Sequence, residues 1–226
     1  MVSDPEVKWH YETLPRPTRK ALDALSQATW LHRPEWYLAG GTALALFGGH
    51  RQSVDLDFFT TAQDIGVEQI LKELSAFGGD WQVVSQDYAT LYGTLFKAKI
   101  SFIAYPFFFP REPFAAYGAL NVLNPRDIMV MKILAISQRG KKRDFFDLYW
   151  YVKNREPLID IVRRLGPQFP QSNHNYHHLL SALAYFVDAE SDSDPIITFN
   201  VSWKQVKDFF EEEVPRVAKE ILQLQN

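Results

Sequence analysis

The sequence contains no cysteine, and this absence excludes several kinds of chemistry at once. A chain without cysteine has no disulfides, no thiolate zinc site and no cysteine nucleophile. Long apolar runs are also missing, since no stretch approaches the roughly 20 residues of a membrane-spanning helix. The first eleven residues are polar and charged, which disfavours a secretory signal. We therefore expect a soluble, cytoplasmic protein with no membrane partner.

An excess of charge of one sign is missing as well. The 24 Lys and Arg residues nearly cancel the 27 Asp and Glu residues, which leaves a formal net charge of -3. Such a balance provides no global positive field for nucleic acid, so a polyanionic partner must be bound by a local patch. With 226 residues, 46% of them hydrophobic, the chain is predicted to fold as one large domain or two small ones.

Short strands and helices alternate in the first half of the sequence. Trp36 to Ala39 is typical of a buried strand, Gly40-Gly41 of a tight turn, and Thr42 to Phe47 of a short helix. The alternating residues Val54 to Phe59 predict the next strand. A helix over 65–77 and three antiparallel strands within 81–103 complete an α/β head, which we assign to residues 1–120.

The second half has a helical pattern. Asn124-Pro125-Arg126-Asp127 combines a capping residue, proline at the first helical position and an early acid, which together predict the start of a helix. This helix should run to about Gln138, and a second should begin near Arg143. Helical periodicity continues beyond them, so residues 121–226 are predicted to form an all-helical part packed against the head.

Two carboxylates stand two residues apart on the predicted strand 54–59. Side chains alternate along a strand, so Asp55 and Asp57 should point to the same face, opposite Leu56 and Phe58. A pair of neighbouring acids is most easily kept ionised by a divalent cation, and Mg²⁺ prefers carboxylate and phosphate oxygens. Taken alone, this short pattern is also typical of an ordinary solvated strand face.

The glycine turn ahead of the two acids makes a phosphate site more plausible. Glycines allow a phosphate to approach the backbone, and a helix beginning at Thr42 would offer N–H groups to an anion. The short helix and loop between Gly41 and Asp55 can bring both features to one end of a sheet. The combination predicts a triphosphate beside its metal ion.

Charged residues interrupt two apolar helices of the second half. Lys132 is the only charged residue among the nine from Ile128 to Ile136, where its stem could extend to solvent or its ammonium could reach a phosphate. Asp144 and Asp147 lie in an aromatic segment and need partners, for which Lys132 or an arginine could serve. The ammonium and the two carboxylates are therefore candidates for a site or for a structural ion pair.

Two further clusters have weaker patterns. Four cations lie within five residues: Arg139, Lys141, Lys142 and Arg143. They could bind a nucleic-acid backbone beside a phosphate site, although basic loops of this kind are more often solvated turns. His174, His177 and His178 have a spacing that could present ring nitrogens on one helical face, but no nearby acid supports a zinc site.

Four segments together resemble the AbiEii/AbiGii toxin family of nucleotidyltransferases. Leu38–Leu46 and Gly49–Phe59 are similar to the opening motifs of that family, and Asp127–Lys132 and Lys142–Leu148 are similar to its two later motifs, in the same order. Each motif is weak alone, whereas the four in order are specific.

The resemblance implies an α+β fold with a polymerase-β-like nucleotidyltransferase head, a mixed sheet flanked by helices, and a helical C-terminal part. It implies Mg²⁺ held by Asp55 and Asp57, and an NTP substrate. The implied catalytic residues are Asp55, Asp57, Lys132 and Asp144, and the implied nucleotide-binding residues are Gly40, Gly41, Thr42, Arg51, Ser53 and Asp147.

The resemblance also implies a biological setting. Members of the family are toxins of bacterial toxin–antitoxin and phage-defence (abortive infection) loci, and some add nucleotides to the acceptor end of tRNA. Their partner is usually a winged-helix antitoxin. We therefore expect transfer of a nucleoside monophosphate from an NTP to a hydroxyl of RNA, with tRNA as the favoured acceptor.

One departure from the family pattern leaves alternatives open. Ser101 stands where relatives often carry a third carboxylate, which many nucleotidyltransferases use as the general base, and Arg143 stands where lysine is common. A catalytically silent module that binds a nucleotide or an antitoxin is therefore the second hypothesis. A third is a glycosyltransferase that binds a nucleotide-sugar through Asp55 and Asp57, but it leaves Lys132 and Asp144 unexplained.

Overall fold

A computed structural model describes residues 7–32, 36–172 and 174–223. The chain divides into two compact units, Met1–Pro125 and Arg126–Asn226. The boundary expected near residue 120 coincides with the start of a strand, Leu120–Val122, that belongs to the first unit. The fold class is as predicted, a mixed sheet with helices followed by a helical part.

The first unit contains one sheet of seven strands in the order β3-β4-β5-β2-β1-β7-β6. β2 lies between β1, to which it is antiparallel, and β5, to which it is parallel. The strands are β1 (Tyr37–Ala39), β2 (Leu56–Thr60), β3 (Trp81–Gln86), β4 (Thr90–Leu95), β5 (Ala98–Ala104), β6 (Ala115–Tyr117) and β7 (Leu120–Val122). The helices are α1 (Arg16–Leu25), α2 (Gly40–Gly48) and α3 (Val67–Leu74).

Alternation of apolar and polar residues places the core on one face of the central strands. Leu56 and Phe58 of β2 are buried, whereas Asp57 between them is only half-buried. Phe58 stacks on Phe102 of β5 with 5.3 Å between ring centroids. Burial of such a side chain contributes about 1.5–3 kcal/mol, so these strands hold β2 firmly in position.

Several predicted elements have different bounds or were missed. The helix predicted from Thr42 begins at Gly40. The helix predicted over 65–77 ends at Leu74, and a 3₁₀ segment, Ser75–Asp80, follows it. β6 and β7 were not predicted, because strands of three residues are too short for a periodic pattern and depend on pairing with distant residues, as β7 does with β1. The antiparallel arrangement of β3, β4 and β5 confirms the prediction.

The second unit is helical within its described residues. Aromatic rings form its centre, where Phe145 contacts Phe186, Trp203 and Phe210 at centroid distances of 5.3–5.7 Å. None of the helices in the described ranges is long and apolar enough to cross a membrane. The helices are α4 (Pro125–Arg139), α5 (Lys142–Asn154), α6 (Leu158–Arg163), α7 (Leu165–Gln168), α8 (Tyr176–Leu183), α9 (Val187–Glu190) and α10 (Trp203–Gln223).

Candidate active site

The glycine turn between β1 and α2 lies against a carboxylate of β2. Asp57 pairs with Ala39 across the two strands, so Gly40 is the next residue along. Gly40 has φ +70°, and a Cβ at this position would stand 2.9 Å from Asp57 Oδ2. Only glycine satisfies both the left-handed backbone and this close approach. The glycines and Asp57, which the sequence predicted to lie at one end of a sheet, are therefore in direct contact.

Buried polar contacts fix the loop that leads into β2. The Thr42 hydroxyl donates to the backbone carbonyl of Asp55 and forms a 2.9 Å hydrogen bond with the Ser53 hydroxyl. The buried Arg51 guanidinium takes the space that a side chain at Gly41 would need. Thr42 is itself buried, so its hydroxyl holds Asp55 in place inside the turn.

Ser101 lies beside Asp57 on the neighbouring strand. The two residues are directly paired across β2 and β5, and the Ser101 hydroxyl donates to Asp57 Oδ1 over 2.6 Å. The position of the third carboxylate expected from the family is therefore adjacent to Asp57, but a neutral donor occupies it. This contact satisfies one oxygen of Asp57 without adding negative charge.

A cavity of about 390 Å³ opens beside the paired acids. Asp55, Asp57 and Ser101 line it, together with Tyr92 and Lys99 of the two neighbouring strands. Tyr92 is paired with Ser101 and is 41% exposed, so its ring is accessible at the wall of the cavity. Sequence reasoning missed both residues, although Lys99 stands two residues before Ser101 and an alternating strand places the two on one face.

The donor set of this cavity suits Mg²⁺ when a substrate supplies further oxygens. In the described ranges no group of three or more His, Asp or Glu side chains could hold a metal by itself. Mg²⁺ is usually bound by one or two carboxylates, several waters and substrate phosphates, and a pair of aspartates beside an open cavity offers such carboxylates. Asp55 and Asp57 are the residues that would hold it.

The second unit contains a buried ionic cluster. The Lys132 ammonium forms ion pairs with Asp144 and, over 2.7 Å, with Asp147, and both carboxylates are fully buried. The Arg139 guanidinium donates to the other oxygen of Asp144 at 3.0 Å. The suggestion that these acids need Lys132 or an arginine as partners is confirmed. Neither Lys132 nor Asp144 extends into solvent.

Burial and charge act in opposite directions on Asp144. Burial raises the pKa of its carboxyl, but the Lys132 ammonium and the Arg139 guanidinium outweigh that effect. The pKa of Asp144 therefore lies below its ordinary value, and the carboxylate is ionised at neutral pH.

The basic segment 139–143 is largely neutralised within its own unit. Arg139 binds Asp144, Lys141 binds Asp192 at 3.0 Å, and Lys142 binds Asp194 at 3.1 Å. Arg143 is exposed. The acids that bind the two lysines come from a loop about fifty residues further along, which the sequence pattern did not reveal. Three of the four cations proposed for RNA are thus engaged by carboxylates.

The three histidines do not share a helical face. α8 begins at Tyr176, so His174 precedes the helix, and its Nε2 lies 3.2 Å from the Phe169 carbonyl. His178 belongs to the first turn, where its backbone N–H donates to the Asn175 side chain. The His178 contact is typical of the start of a helix.

Comparison with known proteins decides the family. The family described as nucleotidyl transferase AbiEii toxin, type IV toxin–antitoxin system, matches residues 20–86 and 98–223. The chain belongs to the AbiEii nucleotidyltransferase toxin family. An uncharacterized protein of Aquifex aeolicus strain VF5 is 32% identical over 196 residues, which cover 80% of this chain and 86% of that protein. Membership gives no support to the glycosyltransferase hypothesis.

Solved structures with low sequence identity share the fold of this AbiEii family member. JHP933 from Helicobacter pylori has a TM-score of 0.55 at 19% identity, covering 91% of this chain and 93% of that one. MenT4, a nucleotidyltransferase toxin from Mycobacterium tuberculosis H37Rv, has a TM-score of 0.56 at 17% identity, covering 88% and 84%. The nucleotidyltransferase fold inferred from the motifs is confirmed.

Proposed function

We propose that this AbiEii family member transfers a nucleoside monophosphate from an NTP to a hydroxyl of an RNA acceptor, with Mg²⁺ at Asp55 and Asp57. The observation that carries the proposal is the contact between the glycine turn and Asp57 at the edge of an open cavity. The residues that we propose for phosphate and metal binding are adjacent there. tRNA is the first acceptor to test.

The reaction is a single displacement at the α-phosphorus. The acceptor oxygen forms a bond to that phosphorus as the bond to the bridging oxygen of the pyrophosphate breaks, and the hydroxyl proton passes to solvent. Bound Mg²⁺ would neutralise charge on the phosphates and lower the pKa of the attacking hydroxyl. The chain positions the groups, because Gly40 allows Asp57 to lie directly against the start of α2 and Ser101 fixes the orientation of Asp57.

Lys132 keeps the phosphate-binding role that the family resemblance implies, whereas we propose for the fully buried Asp144 and Asp147 a role other than the implied ones at the nucleotide. An ammonium has three N–H donors, and Asp144 and Asp147 accept from two of them. One donor remains for a phosphate oxygen. The two carboxylates therefore act as positioning residues that fix the direction of the Lys132 charge.

The test uses the full chain with labelled NTPs, Mg²⁺ and total tRNA. We expect label transfer by the wild type and a loss of at least about a thousandfold in Asp57→Asn, because the substitution removes a charge worth several kcal/mol in the transition state. Glu68→Gln changes an exposed acid of the same unit, away from the cavity of the paired acids, and is the matched control. An inactive wild type, or equal transfer by Asp57→Asn, would falsify the proposal.

The catalytically silent module remains the second candidate, because a serine occupies the position adjacent to Asp57. Calorimetry distinguishes the two functions: NTP binding that requires Mg²⁺ without turnover on any RNA favours the silent module. Ser101→Asp adds the third carboxylate. Gain of transfer by this variant from an inactive wild type would show that only the base is missing.

The toxin role is part of the same proposal. The family belongs to type IV toxin–antitoxin systems, and we propose a winged-helix antitoxin as the protein partner. Expression of the chain alone should arrest bacterial growth, and co-expression of a small DNA-binding protein encoded beside it should relieve the arrest. Arrest that persists in Asp57→Asn would separate toxicity from nucleotide transfer.

A further inference from the structure

A second cavity of the first unit carries an excess of positive charge. Its volume is about 690 Å³, and Arg16 and Lys20 of α1 line it together with Lys97 of the turn between β4 and β5. Asp80 is the single acid among its lining residues. We call the cavity bounded by Arg16, Lys20 and Lys97 the basic groove. It is the kind of local patch that a chain with a net charge of -3 needs to bind a polyanion.

The basic groove adjoins the cavity of the paired aspartates. Thr94 lines both cavities, and it is directly paired with Lys99 of the carboxylate cavity. The start of α1 is also tied to the acids, because the Thr18 hydroxyl donates over 2.8 Å to the carbonyl of Val54, the residue before Asp55. A ligand can therefore extend from Asp55 and Asp57 past Lys99 into the groove.

The cations of this path are available to a ligand. None of Arg16, Lys20, Lys97 and Lys99 forms an ion pair with any residue in the described parts of the chain, and all four are exposed. Lys20 lies over the ring of Phe96 at 3.7 Å, a contact that orients its ammonium without neutralising it. The segment 139–143 differs in this respect, since carboxylates already bind three of its cations.

The turn that carries Lys97 is strained. β4 and β5 are joined by two residues, Phe96 with φ 52° and Lys97 with φ 72°. Two-residue hairpins of this kind strongly favour Asn-Gly, because left-handed backbone costs other residues about 1–2 kcal/mol each. The chain instead presents an aromatic ring and a cation at the groove. Strain of this kind is typical of functional sites.

We propose that the basic groove and Lys99 bind the sugar-phosphate backbone of the RNA acceptor; this inference rests on the proposed function. The glycine turn lies on the β1 side of Asp57, whereas Lys99 and the groove lie on its β5 and β4 side. In-line displacement requires the attacking hydroxyl and the leaving pyrophosphate on opposite sides of the phosphorus. The acceptor therefore approaches from the groove.

The first test compares two variants of equal charge change. Arg16→Gln/Lys20→Gln/Lys97→Gln neutralises the groove, and Lys8→Gln/Lys72→Gln/Lys219→Gln neutralises three exposed lysines elsewhere. Binding of fluorescent tRNA is measured between 50 and 300 mM salt on an Asp57→Asn background without NTP. We expect the groove variant to lose about tenfold in affinity and about two units of the salt-dependence slope, since each phosphate contact contributes about 0.7 to 1 unit.

Equal losses in the two triple variants would overturn the inference. Because this measurement requires no transfer, it is independent of the proposed function. If the wild type proves inactive but the groove variant alone loses tRNA, the groove is an RNA site and the transferase proposal fails. If the groove variant loses binding of polyglutamate and keeps tRNA, the occupant is an acidic protein and the inference is wrong.

A second variant separates binding from folding. Phe96→Asn/Lys97→Gly supplies the residues that the turn geometry favours and removes one cation and the ring beneath Lys20. We expect a higher urea midpoint together with weaker tRNA binding. A merely structural role for these two residues predicts that stability and binding change in the same direction, and that result would overturn the inference.

Discussion

The two pairs of aspartates in this chain have opposite surroundings. Asp55 and Asp57 line an open cavity, where Asp57 accepts from a serine hydroxyl and faces a glycine. Asp144 and Asp147 are fully buried and share one ammonium. The same side chain thus lines a cavity where the site is open and serves as the counter-charge of a lysine where it is closed. Surroundings, not residue type, set the role.

The largest expected effect is on activity and tests the open pair, Asp55 and Asp57. We expect Asp55→Asn to lower nucleotide transfer by at least about a thousandfold, because it removes one of the two carboxylates that we propose as metal ligands. The fold should persist, since Thr42 donates to the backbone carbonyl of Asp55 and not to its side chain. Single-turnover transfer and circular dichroism check the two statements. Loss of the folded spectrum would contradict the assignment.

The next effect tests the buried pair through stability. Lys132→Met leaves two buried carboxylates without their shared ammonium, so we expect the free energy of unfolding to fall by about 3–5 kcal/mol in urea titrations. Lys204→Met removes an exposed partner of Asp208 and serves as the control, with little expected change. Similar effects of the two substitutions would show that the Lys132 cluster does not stabilise the unit.

The buried pair should also make the free energy of unfolding depend on pH in the acid range. The pKa of Asp144 is lowered in the folded state, so its contribution to stability is complete above its ordinary value of 3.8 and is lost as the pH falls through the folded pKa. We expect the wild type to lose more unfolding free energy than Asp144→Asn between pH 5 and pH 2. Parallel pH profiles in urea titrations would argue against a lowered pKa.

The smallest expected effect tests the contact between Gly40 and Asp57 of the open pair. Gly40→Ala places a Cβ against Asp57 Oδ2 at a left-handed position, so we expect a loss of about 1–2 kcal/mol in unfolding free energy. Transfer should fall further than stability explains, because Asp57 must move. Gly66→Ala has a similar φ of +65° and open space around it, and it is the matched control. Equal loss of transfer in both variants would show that the contact between Gly40 and Asp57 does not affect activity.

Local pattern predicted much of the fold. Alternation located β2, β4 and β5, and Asn124-Pro125 marked the start of α4, since these signals lie within a few residues of each other. β6 and β7 have no such signal. The start of α2 was predicted two residues late, because glycine is normally a helix breaker and here it is retained for its contact with Asp57.

The candidate site was predictable only where its residues adjoin in sequence. Asp55 with Asp57 and the glycine turn could be found from spacing. The basic groove could not, because Arg16, Lys20 and Lys97 meet only through the packing of α1 beside the hairpin of β4 and β5. Segment 139–143 shows the converse, since its cations are adjacent in sequence but Lys141 and Lys142 are paired with acids about fifty residues away, which no local pattern reveals.

The strained turn at Phe96 and Lys97 has an evolutionary consequence. A homologue that no longer bound RNA would gain stability from any drift towards asparagine and glycine at these two positions, and nothing would oppose that drift. Selection for binding would hold the unfavourable pair in place. Phe96 and Lys97 lie between the two segments that match the family, 20–86 and 98–223, so this hairpin tip is a feature of the individual chain and not of the shared motifs.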